Sequence, residues 1–297
     1  MTERRERILK VRGLCKYFPV GSKRRGDVFK AVDDVSFDVE RGQTLGIVGE
    51  SGSGKTTCAR AILRALTPTA GKVEFTDAGQ TVDLATLPER RLKPLRRQMQ
   101  MIFQDPFASL NPRMTVGDII GEPLLIHRIG NRNERQERVV QMLRRVGLED
   151  AHRNRYPHAF SGGQRQRIGI ARALILGPSL VVADEAVSAL DVSVRAQVLD
   201  LLRELQDELN LTYLFVSHDL SVVRQVCDAV LVMRRARIVE MGPTEQVWQN
   251  PQHRYTRSLL SAIPQPDPDL TFEPEDLSDV PEEQLAPLVY PEFHHSG

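Results

Sequence analysis

Apolar and polar positions alternate along ILKVRGL (8–14) and again along FKAVDDVSFDVE (29–40), the period of half-buried β-strands. The polar, basic run GSKRRGD lies between them, so the pair predicts an antiparallel hairpin with a long connection. The texture then changes. TLGIVGE (44–50) is a short apolar run ending in glycine, and Gly-rich sequence leads from it into a helix predicted from Lys55 to Leu66, stopped by Pro68 and Gly71. Thr115 to Gly147 reads as helical, including ERQERVVQMLRRVGL with one polar and one apolar face. A further helix is predicted after the break at Ser161-Gly162-Gly163. SLVVA (179–183) and LTYLFVS (211–217) read as buried strands, and between them Val194, Val198, Leu201, Leu202, Leu205 and Leu209 form one helical stripe. Buried strands alternating with amphipathic helices imply a mainly parallel α/β sheet.

Composition narrows the class without changing that picture. The chain has 297 residues, 41% hydrophobic and 27% charged, which excludes a wholly disordered chain, collagen and a disulfide scaffold. The longest apolar candidates, Ala173–Leu176 and Leu180–Ala183, are separated by Gly177-Pro178, well short of the roughly 18 residues of a membrane helix. The opening MTERRERILK leads into no hydrophobic stretch of a secretory or transit signal, so a cytoplasmic location is expected. Cys15, Cys58 and Cys227 are odd in number and far apart, the pattern of reduced thiols packed as small hydrophobes.

Formal net charge is +1, but unevenly spread: no Lys or Arg follows Arg257, while nine acids and seven prolines lie from Pro264 onward. That stretch, 264–297, reads as an extended acidic appendage without its own core. The preceding chain carries 40 basic against 30 acidic residues. The Arg-rich stretch Arg90–Arg97 holds no aromatic on which a base could stack, so a solvated helix face is expected and no nucleic-acid partner.

The chemistry begins at GESGSGKTT, Gly49–Thr57, between a buried strand and a helix. Gly49, Gly52 and Gly54, with Ser51 and Ser53, let backbone N–H groups curl around phosphate oxygens at a helix N-terminus. Lys55 is placed to reach the β- and γ-phosphates, Thr56 to hold Mg²⁺, and Thr57 closes the motif. SLVVADE then delivers Asp184 to the C-terminal edge of a strand, where ligands of open α/β sheets gather. Asp184 is the expected Mg²⁺-orienting carboxylate, and Glu185 the general base for an attacking water.

With these two motifs stand FSGGQ at Phe160–Gln164, SALD at Ser188–Asp191, Gln104 in FQDP and His218 in SHDL. In that order they resemble the ATP-binding-cassette ATPases. Read from the residues alone, Ser161 and the N–H groups of Gly162 and Gly163 make a second anion site, redundant for one γ-phosphate. The resemblance explains it: in that family the SGGQ segment of one subunit, here Ser161, Gly162, Gly163 and Gln164, closes over nucleotide held by the other. It also implies that Gln104 links Mg²⁺ and the attacking water to a membrane partner, that His218 contacts the γ-phosphate and that Asp191 lies at the dimer seam. An aromatic after the first strand is expected to stack on adenine. Motif position favours Phe18, with Tyr17 the alternative.

FQDPFASLNPRMTVGDIIGEPL, HAFSGGQRQRIGIARAL and QHRYTRSLLSAIPQPDP are similar to the dipeptide/oligopeptide importer ATPases, in particular the second of their two ATPase subunits. Ala186 and Arg254 stand where those relatives usually have proline. The resemblance implies a P-loop NTPase (RecA-like) α/β core with an antiparallel β subdomain and a helical signature subdomain of about 105–176, together occupying 1–263. It further implies ATP and Mg²⁺, a paralogous ATPase in a head-to-tail dimer, two membrane-spanning permease subunits, indirectly a solute-binding protein, and the cytoplasmic face of the membrane. The cargo that the resemblance implies is peptide (dipeptide or oligopeptide), with oligosaccharide, opine and nickel as alternatives for the same ATPase role and a regulatory ATP-binding module as the enzyme-free alternative.

Overall fold

A computed structural model describes residues 6–20, 27–262 and 288–289. The predicted hairpin is present: β1 (Arg7–Pro19) pairs antiparallel with β2 (Val28–Glu40). Most of its connecting loop lies outside the described residues. β4 (Ala70–Asp77) and β5 (Gln80–Asp83) complete a four-stranded antiparallel sheet in the order β2-β1-β4-β5.

The second sheet holds β3 (Thr44–Val48), β6 (Met99–Ile102), β7 (Leu180–Asp184), β8 (Thr212–Val216), β9 (Ala229–Arg234), β10 (Arg237–Pro243) and β11 (Leu288–Val289). Its order is β11-β10-β9-β3-β8-β7-β6, with β6, β7, β8, β3 and β9 parallel and β10 antiparallel to β9. Alternate residues of each central strand feed different cores. Leu45, Ile47, Leu180, Val182, Leu214 and Val216 pack with the antiparallel sheet and with α1 (Lys55–Ile62). Val181, Ala183, Tyr213, Phe215, Val230 and Val232 pack on the opposite side. Coverage on both faces is why these strands read as unbroken apolar runs rather than alternations.

The helix after β3 ends at Ile62, four residues before the predicted Leu66. Arg64 takes a left-handed backbone (φ 55°), Ala65 N–H returns to the Arg60 carbonyl, and the Arg64 side chain donates to the Leu84 and Leu87 carbonyls. A tertiary anchor therefore stops the helix before Pro68 can. α2 (Glu89–Leu95) presents its arginines to solvent and buries Leu92, as expected of a solvated face.

Between β6 and β7 the chain leaves the sheet and builds a helical layer. The single predicted run resolves into α3 (Val116–Ile126) and α4 (Arg132–Arg145), followed by α5 (Gly162–Leu174). Thr115 caps α3, and Asn131 with Glu134 forms a capping box on α4, each cap stabilising its helix by about 1 kcal/mol. α5 starts within the predicted break, at Gly162, because Ser161 itself is its N-cap. α6 (Val192–Leu209) carries the stripe of the sequence reading, with Val198, Leu201, Leu202 and Leu205 buried. α7 (Leu220–Val226), α8 (Thr244–Gln249) and α9 (Arg254–Ser261) complete the described α-helices.

Two further expectations meet the structure. Cys15, Cys58 and Cys227 are free thiols, Cys58 and Cys227 buried and Cys15 half-buried, and burial pushes the Cys58 thiol up to about 12. The Pro-rich acidic stretch lies mostly outside the described residues, but Leu288–Val289 pairs in parallel with Glu240–Met241. An open strand edge accepts backbone hydrogen bonds from any extended segment, so such a pairing needs no core of the stretch's own.

Candidate functional site at the end of the parallel sheet

Residues 49–54 leave the C-terminal end of β3 and return as the first turn of α1, whose first residue is Lys55. Glycine is required here by space as well as by backbone angle. A Cβ on Gly49 (φ 146°) would sit 2.1 Å from the Met233 carbonyl oxygen, and one on Gly54 (φ 105°) 2.2 Å from that of Ala31. Strands β9 and β2 thus press directly on the loop. Ser53 is buried inside the turn and its amide donates to the Glu50 carbonyl.

Lys55 Nζ donates to the Gly49 carbonyl at 2.7 Å and the Glu50 carbonyl at 2.8 Å. Burial pushes its pKa down, against the opposing pull of Glu185, Asp184 and Glu50. Thr56 Oγ1 donates to Asp184 Oδ1 at 2.8 Å, and Arg60 approaches the other oxygen at 3.7 Å. Burial raises the Asp184 carboxyl, more than the Thr56 hydrogen bond and nearby cations lower it. A hydroxyl and a buried carboxylate side by side form an oxygen donor pair suited to a small hard cation.

Glu185 follows Asp184 with a left-handed backbone (φ 48°), a conformation costing on the order of 1–3 kcal/mol for a non-glycine residue. Its amide donates to the Val216 carbonyl and its carbonyl accepts from Ser188 Oγ, tying both sides of the turn. The carboxylate then meets two partners: Gln104 Nε2 donates to Oε2 at 2.8 Å, and His218 Nδ1 lies 3.2 Å from Oε1. Three residues separated by up to 114 positions converge because β6, β7 and β8 are adjacent parallel strands ending at one level.

A cleft of about 480 Å³ is lined by Ser51, Gly52, Gly54, Lys55, Thr56, Thr57, Gln104, Glu185 and His218, with Phe29 and Ala31 of β2. Phe18 does not line it. The cleft is flanked instead by Phe29, the cross-strand partner of Phe18 and 56% exposed. Phe18 lies under Lys16 Nζ, 4.9 Å from its ring centre, while the Tyr17 hydroxyl is engaged by Asp33 at 2.5 Å. Sequence reasoning missed Phe29 because an aromatic at a strand start is ordinary; only its pairing with Phe18 marks it.

Ser161, Gly162, Gly163, Gln164 and Asp191 also fall outside this cleft. Ser161 Oγ accepts from Gln164 N at 3.3 Å, and Gln164 Oε1 accepts from Ser161 N at 3.1 Å. Gly163 lies against α6, where a Cβ would come within 2.4 Å of Val194. Asp191 is the exposed first cap of that same helix. These five residues therefore form a second cluster at the α5 and α6 N-termini. Of the two departures from the importer pattern, Ala186 is buried beside Glu185, and Arg254 is the first residue of α9. Proline and arginine both fit there, since that N–H has no helical partner.

Residues 32–188 match the family described as ABC transporter, and 239–287 match the oligopeptide/dipeptide transporter C-terminal region. A peptide import ATP-binding protein of Brucella ovis is 54% identical over 275 residues, 92% of this chain and 84% of that protein. The oligopeptide transport ATP-binding protein OppF of Bacillus subtilis is 53% identical over 265 residues, 89% of this chain and 85% of its own. Among solved structures, the dimeric post-hydrolysis state of the ATP-binding cassette MJ0796 with ADP and inorganic phosphate superposes with a TM-score of 0.69. Its identity is 28%, over 80% of this chain and 98% of that one. The chain belongs to the ABC transporter family, as an ATP-binding and ATP-hydrolysing subunit of the oligopeptide/dipeptide transporter type.

Proposed function

We propose that this subunit hydrolyses MgATP in a head-to-tail dimer with a paralogous ATPase and drives peptide import through two membrane-spanning permease subunits. The observation that carries the chemistry is the convergence of Gln104 and His218 on Glu185 beside the Lys55 loop. Peptide as cargo is supported by the names of the relatives, and a solute-binding protein enters only indirectly, by delivering it. On this reading the chain works at the cytoplasmic face of the membrane. Among the described residues no helix is long and apolar enough to cross a bilayer. The organisation proposed is a nucleotide-binding domain over 1–263, its helical subdomain at about 105–176, and an acidic tail over 264–297.

In the mechanism, the N–H groups of residues 49–54 and Lys55 hold the β- and γ-phosphates. Thr56 Oγ1, Asp184 and the side-chain carbonyl of Gln104 would hold Mg²⁺, which would offset phosphate charge. The donors fit such an ion, which ordinarily takes one or two carboxylates plus substrate phosphates. Glu185 accepts the proton of the water that attacks the γ-phosphorus, and the P–O bond to ADP breaks as phosphate leaves. Its negative charge and its fixed backbone aim the carboxylate. Gln104 orients it from one side and His218 reaches from it to the γ-phosphate. Phe18, paired with Phe29, offers an aromatic surface to adenine.

Ser161, Gly162, Gly163 and Gln164 act on the nucleotide of the other subunit, with Asp191 at the seam. Their separation from the chain's own cleft supports this division of labour. The test is reconstitution of the chain with its paralogue, the permease pair and the solute-binding protein in proteoliposomes. Peptide-loaded binding protein is expected to stimulate ATP hydrolysis and uptake. Stimulation by another cargo class and none by peptide would reassign the substrate while leaving the ATPase chemistry intact.

A further inference from the structure

The outer side of the phosphate loop, turned away from the cleft, is held by the C-terminal part of the chain. Tyr255 of α9 is 1% exposed, and its hydroxyl accepts the Glu50 amide at 3.0 Å. The segment leading into Tyr255 is fixed in turn by a buried carboxylate. Glu240 of β10 is fully buried, and its two oxygens accept the amides of Gln252 at 2.9 Å and His253 at 3.0 Å. His253 caps α9 through Nδ1, which accepts the Tyr255 amide at 3.1 Å. Nδ1 can accept only from a neutral ring protonated at Nε2, and burial, the main influence on His253, holds its pKa down.

A second, independent contact grips the same loop from β9 and β10. The turn joining them has left-handed Arg235 (φ 43°) and Ala236 (φ 72°), and Ala236 N–H donates to the Ser53 carbonyl at 3.0 Å. The Arg234 guanidinium stacks on the Tyr255 ring, 4.9 Å from its centre, so the two grips touch each other.

We infer that Glu240, His253 and Tyr255 form a strap that positions the phosphate loop for nucleotide. Tyr255 is a positioning residue acting through the Glu50 peptide, and Glu240 acts through the backbone of 252–253. The physical argument is preorganisation. The Glu50 carbonyl also receives Lys55 Nζ, so the peptide that Tyr255 fixes belongs to the same short turn that orients the phosphate-binding lysine. A loop held in its binding shape loses less entropy when nucleotide arrives. Without the hydroxyl, the Glu50 amide lies beside a phenyl ring and the turn relaxes toward other hydrogen-bond partners.

The inference rests on the assignment of Gly49–Thr57 as the phosphate loop, and the experiment separates the two. MgATP binding is measured by calorimetry on the full chain, and KM and kcat on the assembled transporter, for Tyr255→Phe, Glu240→Gln, Lys55→Ala and Tyr213→Phe. Tyr213 is the matched control: its buried hydroxyl donates to the Leu202 carbonyl at 3.3 Å, away from the loop. Tyr255→Phe keeps the ring and its packing; it is expected to raise Kd and KM together by about 3- to 10-fold, the reach of one net hydrogen bond, with kcat within about 2-fold. Glu240→Gln places an amide NH₂ against a backbone N–H and is expected to shift KM in the same direction. If Lys55→Ala weakens binding while Tyr255→Phe does not, the strap is overturned and the loop assignment stands. Equal shifts for Tyr255→Phe and Tyr213→Phe would also overturn it, by making the effect one of general stability. If Lys55→Ala leaves binding unchanged, the loop assignment itself fails.

Discussion

Replacing Glu185 by Gln tests the proposal that this carboxylate accepts the proton of the attacking water. The carboxylate has two partners, Gln104 Nε2 at 2.8 Å and His218 Nδ1 at 3.2 Å. A glutamine is nearly isosteric and keeps one partner outright: its carbonyl oxygen accepts from Gln104, while its amide faces His218. The two backbone hydrogen bonds that hold the left-handed turn are untouched. Shape and nucleotide contacts survive, and only the charge and proton affinity of the base are lost. The expected result is unchanged ATP affinity with hydrolysis reduced about 10²- to 10⁴-fold, which is about 2.7 to 5.4 kcal/mol on the barrier. Phosphate release in a single turnover of the assembled transporter reads the rate, and titration of the purified chain with MgATP reads the affinity. Phosphate release within about 3-fold of wild type would refute the base assignment, since a positioned base contributes far more. A large loss of affinity would show that the amide does not preserve the Gln104 and His218 contacts.

Three further outcomes follow from other parts of the molecule. Ser161→Ala removes the Oγ that accepts Gln164 N and is expected to lower hydrolysis in the dimer while the isolated chain keeps its ATP affinity; an equal loss in the isolated chain would place Ser161 at its own nucleotide. Phe107 is 59% exposed with Arg165 4.2 Å from its ring centre, and Phe107→Asp is expected to leave ATP binding intact while uncoupling hydrolysis from uptake, so normal uptake by a fully assembled variant would exclude this surface from coupling. Asp33 gives a pH dependence: burial raises its carboxyl, but Tyr17, Arg237 and Lys30 together outweigh that and hold it at about 2. A depressed folded value means that the stabilisation is complete above the ordinary value of about 3.9 and is lost as pH falls through the folded value of about 2. The stability difference between wild type and Asp33→Asn, measured by denaturant titration, is therefore expected to be constant at neutral pH and to shrink below about pH 4; a gap at pH 2 as large as at neutral pH would contradict it.

Gly49–Thr57 and the Asp184-Glu185 pair stand out as candidates because each is a local string whose neighbours, a buried strand and a helix, carry their own periodicity. Gln104 and His218 were legible only through resemblance; nothing in FQDP or SHDL says that the two side chains share a carboxylate. That fact resides in strand order, which places β6, β7 and β8 side by side. The helix ends before its visible stop signals, Pro68 and Gly71, because the Arg64 anchor onto the Leu84 and Leu87 carbonyls depends on a segment 20 residues away. Phe29 and Tyr255 were invisible for a related reason. Each looks like an ordinary core or strand aromatic until the pairing with Phe18, or the reach of α9 to Glu50, gives it a neighbour.

The short strand Leu288–Val289 changes what the rim of the parallel sheet offers to other molecules. With it in place, the outermost strand on that side is two residues long, too brief to template a further chain. A protein cut before Leu288 would end its sheet on the seven residues Arg237–Pro243 instead. The N–H and C=O groups now paired at Glu240 and Met241 would then be open to any extended peptide. Removing those two residues therefore trades a brief edge for one long enough to pair with another extended chain.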